Sequence, residues 1–255
     1  NEQFDLGVNH SPSNISIRRI KQPQKYNEVF KKLLFYPSVI QKVTSLLGDN
    51  FRLHNGKMNL KSPSAADLVD WHQDWAFYPH SNDDVLAVGI MLDDMTLDNG
   101  TVLFVPESHK GEVYDHHHNG YFIGAVDPKK SHYDVSTASK FIAKAGSISF
   151  HHVRALHGST KNKSNKSRRM FFVGYTAADS WPLKGILDLG LRPTTGEDDF
   201  IKNIFEVYNS NIVKGQPCLE ARVENNPIKM PYPPPPSVGS IYENQREVLG
   251  RSFGE

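Results

Sequence analysis

Two short segments of the chain place a histidine and an aspartate one residue apart: His72-Gln73-Asp74 and His132-Tyr133-Asp134. On a strand, residues i and i+2 point to the same face, so such a pair can offer an imidazole nitrogen and a carboxylate oxygen to one ion. A second histidine from a neighbouring strand would complete a facial set of two histidines and one carboxylate, leaving three coordination positions open. That arrangement suits a non-haem Fe(II) centre that activates O2. The pair alone is a weak signal, because with 12 histidines in the chain about one is expected by chance. His132 and Asp134 lie in the polar stretch 127–139 without an apolar strand around them, and are read as a solvated loop. His72 and Asp74 are framed by Val69, Trp71 and Trp75, then by Phe77 and Tyr78, which reads as the wall of a pocket.

Three histidines compete for the third position. His151 and His152 are adjacent and face opposite sides of any strand, so each is read as a core or surface residue. His157 is followed by Gly158 and Ser159, and eleven residues later by Arg168. That separation fits the next strand of a hairpin turning through 161–167. If the co-substrate is 2-oxoglutarate, its far carboxylate calls for a planar two-pronged donor, which arginine supplies better than lysine. Arg169 falls on the other face by alternation.

The elements that must hold these residues follow from periodicity. From Tyr26 to Leu47 apolar residues recur at helical spacing, Pro37 suits the first turn of a second helix, and Gly48 ends it. The period then changes. Phe51–Leu60, Val85–Leu92, Thr101–Val105, Ser147–Phe150 and Arg169–Thr176 read as short strands separated by turn residues such as Asp98-Asn99-Gly100. Helices followed by many short strands predict a mainly β, α+β chain with a sandwich or barrel core. Residues 1–25 read as an arm or loop, 111–145 as a polar lid containing His116-His117-His118, and 197–208 as a short helix. The proline-rich tail from Asn225 reads as an extended surface segment. The expected organisation is one domain over 1–255, with a helical part at 26–48, a core at 51–177 and a C-terminal extension at 178–255.

Bulk composition narrows the function classes. A net charge of +1 gives no reason to invoke nucleic acid or a membrane surface, and 38% hydrophobic with 22% charged residues is ordinary globular composition. The single cysteine, Cys218, excludes an internal disulfide framework and suits a reducing, cytoplasmic setting. No apolar run reaches the roughly 20 residues of a membrane helix. The expected partner is a small molecule, and the expected state a monomer or homodimer.

Taken in order, Trp71-His72-Gln73-Asp74, the segment from Leu97-Asp98-Asn99-Gly100-Thr101 through Val105-Pro106-Glu107-Ser108-His109, and Gly146 through His157-Gly158-Ser159 with Arg168 beyond resemble the phytanoyl-CoA dioxygenase family of Fe(II)/2-oxoglutarate oxygenases. The resemblance runs from about Phe51 to Tyr175. It implies a double-stranded β-helix (a jelly-roll, cupin-like core) with iron at its mouth. His72, Asp74 and His157 are then the iron ligands, Arg168 the partner of the 2-oxoglutarate distal carboxylate, and Ser159 its neighbour. Asn59, within Lys57-Met58-Asn59-Leu60-Lys61, resembles the asparagine that ectoine hydroxylases of the family offer to 2-oxoglutarate, and Gln73 is a further pocket candidate. Trp75 and Tyr78 are candidates to flank the substrate. Gly89 stands where relatives often carry a bulky residue, implying a wider cavity. The implied reaction is hydroxylation with O2, releasing succinate and CO2. Desaturation, epimerisation or cyclisation by the same centre are the alternatives within the class, and the retained carboxylate of Asp74 speaks against halogenation. Outside the class the alternatives are a non-catalytic cupin-like binding protein and a Zn(II) hydrolase or isomerase.

Overall fold

The computed structural model describes residues 3–7, 10–63, 68–128, 130–185, 197–237 and 239–250. Thirteen strands and four α-helices follow in the order β1 (Phe4–Leu6), β2 (Ile17–Lys21), α1 (Glu28–Leu33), α2 (Pro37–Leu47), β3 (Phe51–Lys61), β4 (Val69–His72), β5 (Val85–Met91), β6 (Val102–Phe104), β7 (His117–His118), β8 (Tyr121–Phe122), β9 (Ser139–Lys140), β10 (Ile148–His152), β11 (His157–Ser159), β12 (Arg168–Ala177), α3 (Glu197–Ser210), β13 (Ile212–Lys214) and α4 (Ile241–Leu249). Two antiparallel sheets form the core. The major sheet runs β1-β2-β3-β12-β5-β10, with β13 also on β3, and the minor sheet runs β4-β11-β6-β9. From β3 to β6 and again from β9 to β12, successive strands alternate between the two sheets, which is the jelly-roll answer to unpaired sheet edges.

The helices form where the periodicity places them. Asn27 caps α1 by accepting the Val29 N–H, Pro37 starts α2, and Gly48 ends it at φ 82°, a conformation that favours glycine. Val39 and Val43 of α2 bury against the outer face of the major sheet, among Phe51, Leu86, Val88, Phe171, Val173 and Tyr175. Tyr175 ties this layer together by donating to the Leu34 carbonyl at 2.8 Å. On β12 the alternate residues Arg168, Met170 and Phe172 face inward, where Met170 packs with Met91, Met95 and Val102. The helical layer therefore stiffens the sheet whose other face carries the chemistry.

Four expectations change. The arm at 1–25 contributes β1 and β2 to the major sheet, with Ile20 opposite Met58. The segment 111–145 is folded rather than simply polar, with the β7–β8 hairpin and with Ile123, Ala125 and Val126 buried. Residues 157–168 are not a hairpin: β11 belongs to the minor sheet and β12 to the major one. Asn162 holds the crossing loop by donating to the carbonyls of Lys61, Ser62 and Lys166. Finally, the tail after Asn225 ends in a helix, α4, whose Ser240 and Glu243 form a reciprocal capping box. Among the described residues no helix is long and apolar enough to cross a membrane.

Candidate active site

His72 ends β4 and His157 begins β11, and the antiparallel register sets them directly opposite each other, with ring centroids 4.1 Å apart. Gln73 continues the extended backbone (φ −115°, ψ 129°), so Asp74 returns to the same face before the chain turns. The Nδ1 of His72 lies 2.8 Å from the Asp70 carbonyl, and that of His157 lies 2.9 Å from the Ala155 carbonyl. Each carbonyl accepts the Nδ1 proton and leaves an Nε2 lone pair aimed inward. One ligand atom from each of His72, Asp74 and His157 lies within 4.8 Å of the others.

Electrostatics suits a dication. Burial lowers the pKa of His72, and lowers that of His157 further with help from His72 and His151, which keeps both imidazoles neutral. Burial opposes ionisation of Asp74, but Lys57, His151, His157 and His72 outweigh it and hold the carboxyl well below its ordinary range. Two neutral imidazoles and one carboxylate on one side of an ion are the donor set that fits Fe(II) with open positions.

Arg168 reaches the same interior from the opposite sheet. Its side chain is 2% exposed, its Nη2 donates to the Gly100 carbonyl at 2.8 Å, and its Nε has no partner. Burial pushes its pKa down to about 10, against the pull of Tyr242 and Asp93, so it stays charged at neutral pH. No carboxylate among the described residues pairs with it. A buried cation without a counter-ion is costly and fits an anionic ligand. Arg169 points outward and is held by Asp93, as alternation required. Ser159 is buried two residues beyond His157, and Asn59 lies opposite Met170 with its Oδ1 accepting from Arg19 Nε at 3.3 Å.

Other candidates go elsewhere. Gln73 is fully buried, but its amide donates to the Glu112 and Arg154 carbonyls and accepts the Tyr114 N–H. Those bonds leave it no donor for a ligand, and it clamps the 112–116 segment instead. Trp75 packs with Val85 and Val153 and donates to the Pro227 carbonyl, away from the metal residues. Val69 and Trp71, with Leu103, Tyr133 and Val135, line a cavity of about 350 Å³ that also takes in Asp70 and Ser159. The pocket wall is therefore Phe77, whose ring is 5.9 Å from His72, together with Phe122. Tyr78 is half-buried and lies 4.6 Å from the His54 ring. A Cβ at Gly89 would fall 2.0 Å from the Met170 methyl, so Met170 fills the hollow that the glycine was expected to open. His132 and Asp134 are exposed. His116 is buried, accepts the Gln73 N–H at 2.9 Å, and is driven to a pKa of about 3 by burial.

Two residues of the interior, Lys57 and His54, were not anticipated, and His151, read as a core or surface residue, joins them. His151 lies 3.5 Å from Asp74 Oδ2 and 4.7 Å from the His157 ring, on the same face as Ser149. Lys57 places its Nζ 5.8 Å from the centre of the Phe172 ring. His54 sits at a β-bulge, where the register slips between Gly174 and Tyr175, and such a bulge re-aims a side chain inward. Lys57-x-Asn59-x-Lys61, alternating with Met58 and Leu60, was a legible signal of a polar inner face.

Comparisons with known proteins agree with this geometry. The model of the phytanoyl-CoA dioxygenase (PhyH) family matches residues 9–170. A probable alpha-ketoglutarate-dependent hypophosphite dioxygenase of Stutzerimonas stutzeri is 36% identical over 99% of this chain and 84% of its own length. An ectoine dioxygenase of Streptomyces coelicolor is 24% identical over 66% of this chain, which spans 62% of that protein. Among solved structures, the alpha-ketoglutarate-dependent carbocyclase SnoK superposes with a TM-score of 0.58 at 21% identity, covering 77% of this chain and 79% of its own. EctD from S. alaskensis with 2-oxoglutarate and 5-hydroxyectoine gives 0.54 at 20% identity, over 69% of this chain and 61% of that one. With its family model matched across the site and its triad assembled on a jelly roll, the chain belongs to the phytanoyl-CoA dioxygenase family of Fe(II)/2-oxoglutarate-dependent oxygenases.

Proposed function

We propose that the chain hydroxylates a small substrate in a reaction that consumes O2 and 2-oxoglutarate and releases succinate and CO2. One oxygen atom enters the substrate and the other enters succinate. The observation that carries this reading is the pairing of the His72, Asp74 and His157 triad with a buried Arg168 that no carboxylate among the described residues neutralises. In this reading the triad holds Fe(II). Arg168 takes the distal carboxylate of 2-oxoglutarate, with Ser159 and Asn59 beside it. When bound, iron and its co-substrate supply the oxidising power. The protein's part is to fix the ligands through the Asp70 and Ala155 carbonyls, to brace Asp74 with His151, and to exclude water with Phe77, Phe104 and Phe122. Hypophosphite, named for the Stutzerimonas relative, is the first substrate to try. Fe(II) and 2-oxoglutarate added together without O2 should give a visible charge-transfer band. Fully loaded protein that stays colourless would sink the reading.

A further inference from the structure

The inner face of β3 and β12 carries Lys57, Lys61 and Arg168, all directed between the sheets. Lys61 donates to the Thr160 carbonyl, and Arg168 to Gly100. Lys57 differs. It is half-buried and among the described residues has no hydrogen bond or ion pair; its Nζ lies 5.8 Å from the centre of the Phe172 ring, and Asp74 and Arg19 act on its charge. Iron brings two positive charges, Asp74 removes one, and 2-oxoglutarate adds two negative ones. Together these leave one negative charge, which Arg168 balances, so the Lys57 ammonium remains in water-poor surroundings that disfavour it unless another anion enters.

The surroundings of Lys57 are apolar on one side and polar on the other. Met170 fills the hollow above Gly89, and Phe172 floors the site. The bulge brings in His54, whose buried Nδ1 has no partner and whose ring lies against Tyr78. We infer that Lys57, with His54 as a second donor, is the recognition point for the substrate's charge, and that the substrate is a small oxyanion. This rests on the oxygenase reading above and deepens it by naming the substrate class. Burial lowers the Lys57 pKa, and the nearby Asp74 opposes the fall. The co-substrate's distal carboxylate is already provided for by Arg168, which leaves Lys57 for the second ligand.

The test uses the anaerobic Fe(II)–2-oxoglutarate protein, titrated by calorimetry with hypophosphite and separately with phosphite. Wild type should bind at least one of them. Lys57→Met should weaken that binding about tenfold or more, as expected for loss of a charge-assisted hydrogen bond. Lys57→Arg, which keeps the charge, should stay within about threefold, and both variants should unfold near the wild-type temperature. The affinity for 2-oxoglutarate, read from the charge-transfer band, should change little. The inference is overturned if Lys57→Met binds the oxyanion as tightly as wild type. It is also overturned if 2-oxoglutarate weakens as much as the oxyanion does, because Lys57 would then serve the co-substrate. Wild type that forms the band but binds neither oxyanion overturns the inference and spares the oxygenase reading. Absence of the band removes both.

Discussion

At the scale of single residues, one local device recurs four times with three different outcomes. His72, His80, His116 and His157 each set Nδ1 against the carbonyl two residues earlier, belonging to Asp70, Tyr78, Tyr114 and Ala155. The far nitrogen then decides the role: toward Asp74 in His72 and His157, onto the Gln73 N–H in His116, and without a partner in His80. Spacing marks only His72, whose partner Asp74 is two residues away; His116 and His157 are sorted by contacts with distant segments. The triad and Arg168 yield direct predictions. Asp74→Ala should abolish both the charge-transfer band and succinate production, whereas succinate formation surviving at a wild-type rate would refute the ligand assignment. Arg168→Met should raise the KM for 2-oxoglutarate about tenfold or more, the loss expected when a charged two-pronged contact is removed. Iron binding, followed by equilibrium dialysis, should remain nearly unchanged.

At the scale of elements, the strands that could be found from alternation are those with one apolar face. β3 and β12 were legible within a residue or two because Phe171, Val173 and Tyr175 face the helices, and β5 was legible as a continuous apolar run buried on both faces. The inner face carries polar and charged groups, so its membership is fixed by pairing register and by the bulge at Gly174 and Tyr175. Gln73 teaches the same lesson in reverse. Lying inside the metal motif it looked like a ligand-facing residue, yet its amide joins β4 to the 112–116 segment and to the carbonyl of Arg154. Gln73→Leu should leave a buried Tyr114 N–H and two carbonyls unsatisfied and cost about 3 kcal/mol in urea unfolding, since each such group costs roughly 1–3 kcal/mol. A cost below about 0.5 kcal/mol would show that the clamp is not needed.

For the molecule as a whole, buried neutral histidines tie stability to pH. Burial drives the pKa of His80 down to about 3 in the folded state, from an ordinary value of 6.5. The unfolded chain therefore binds the extra proton first, and the stabilisation is complete above about pH 6.5 and is lost as pH falls toward 3. Thermal melts across that window should show the midpoint dropping on the acid side, and His80→Asn should flatten the drop. An unchanged slope in the variant would assign the acid sensitivity to other groups. The sequence by itself determined the helical layer, the principal strands, the His-x-Asp pair and the inward direction of Arg168 against Arg169, because each of these depends on periodicity or on short-range spacing. Only the tertiary structure decided that β11 and β12 lie in different sheets, that Trp71 and Trp75 turn away from the metal residues, and that His54, Lys57 and His151 turn toward them. The physical reason is that a jelly roll brings its inner face together from strands distant in sequence. Which side chains meet there depends on which sheet each strand joins, a choice made by packing across the core rather than by any local stretch of the chain.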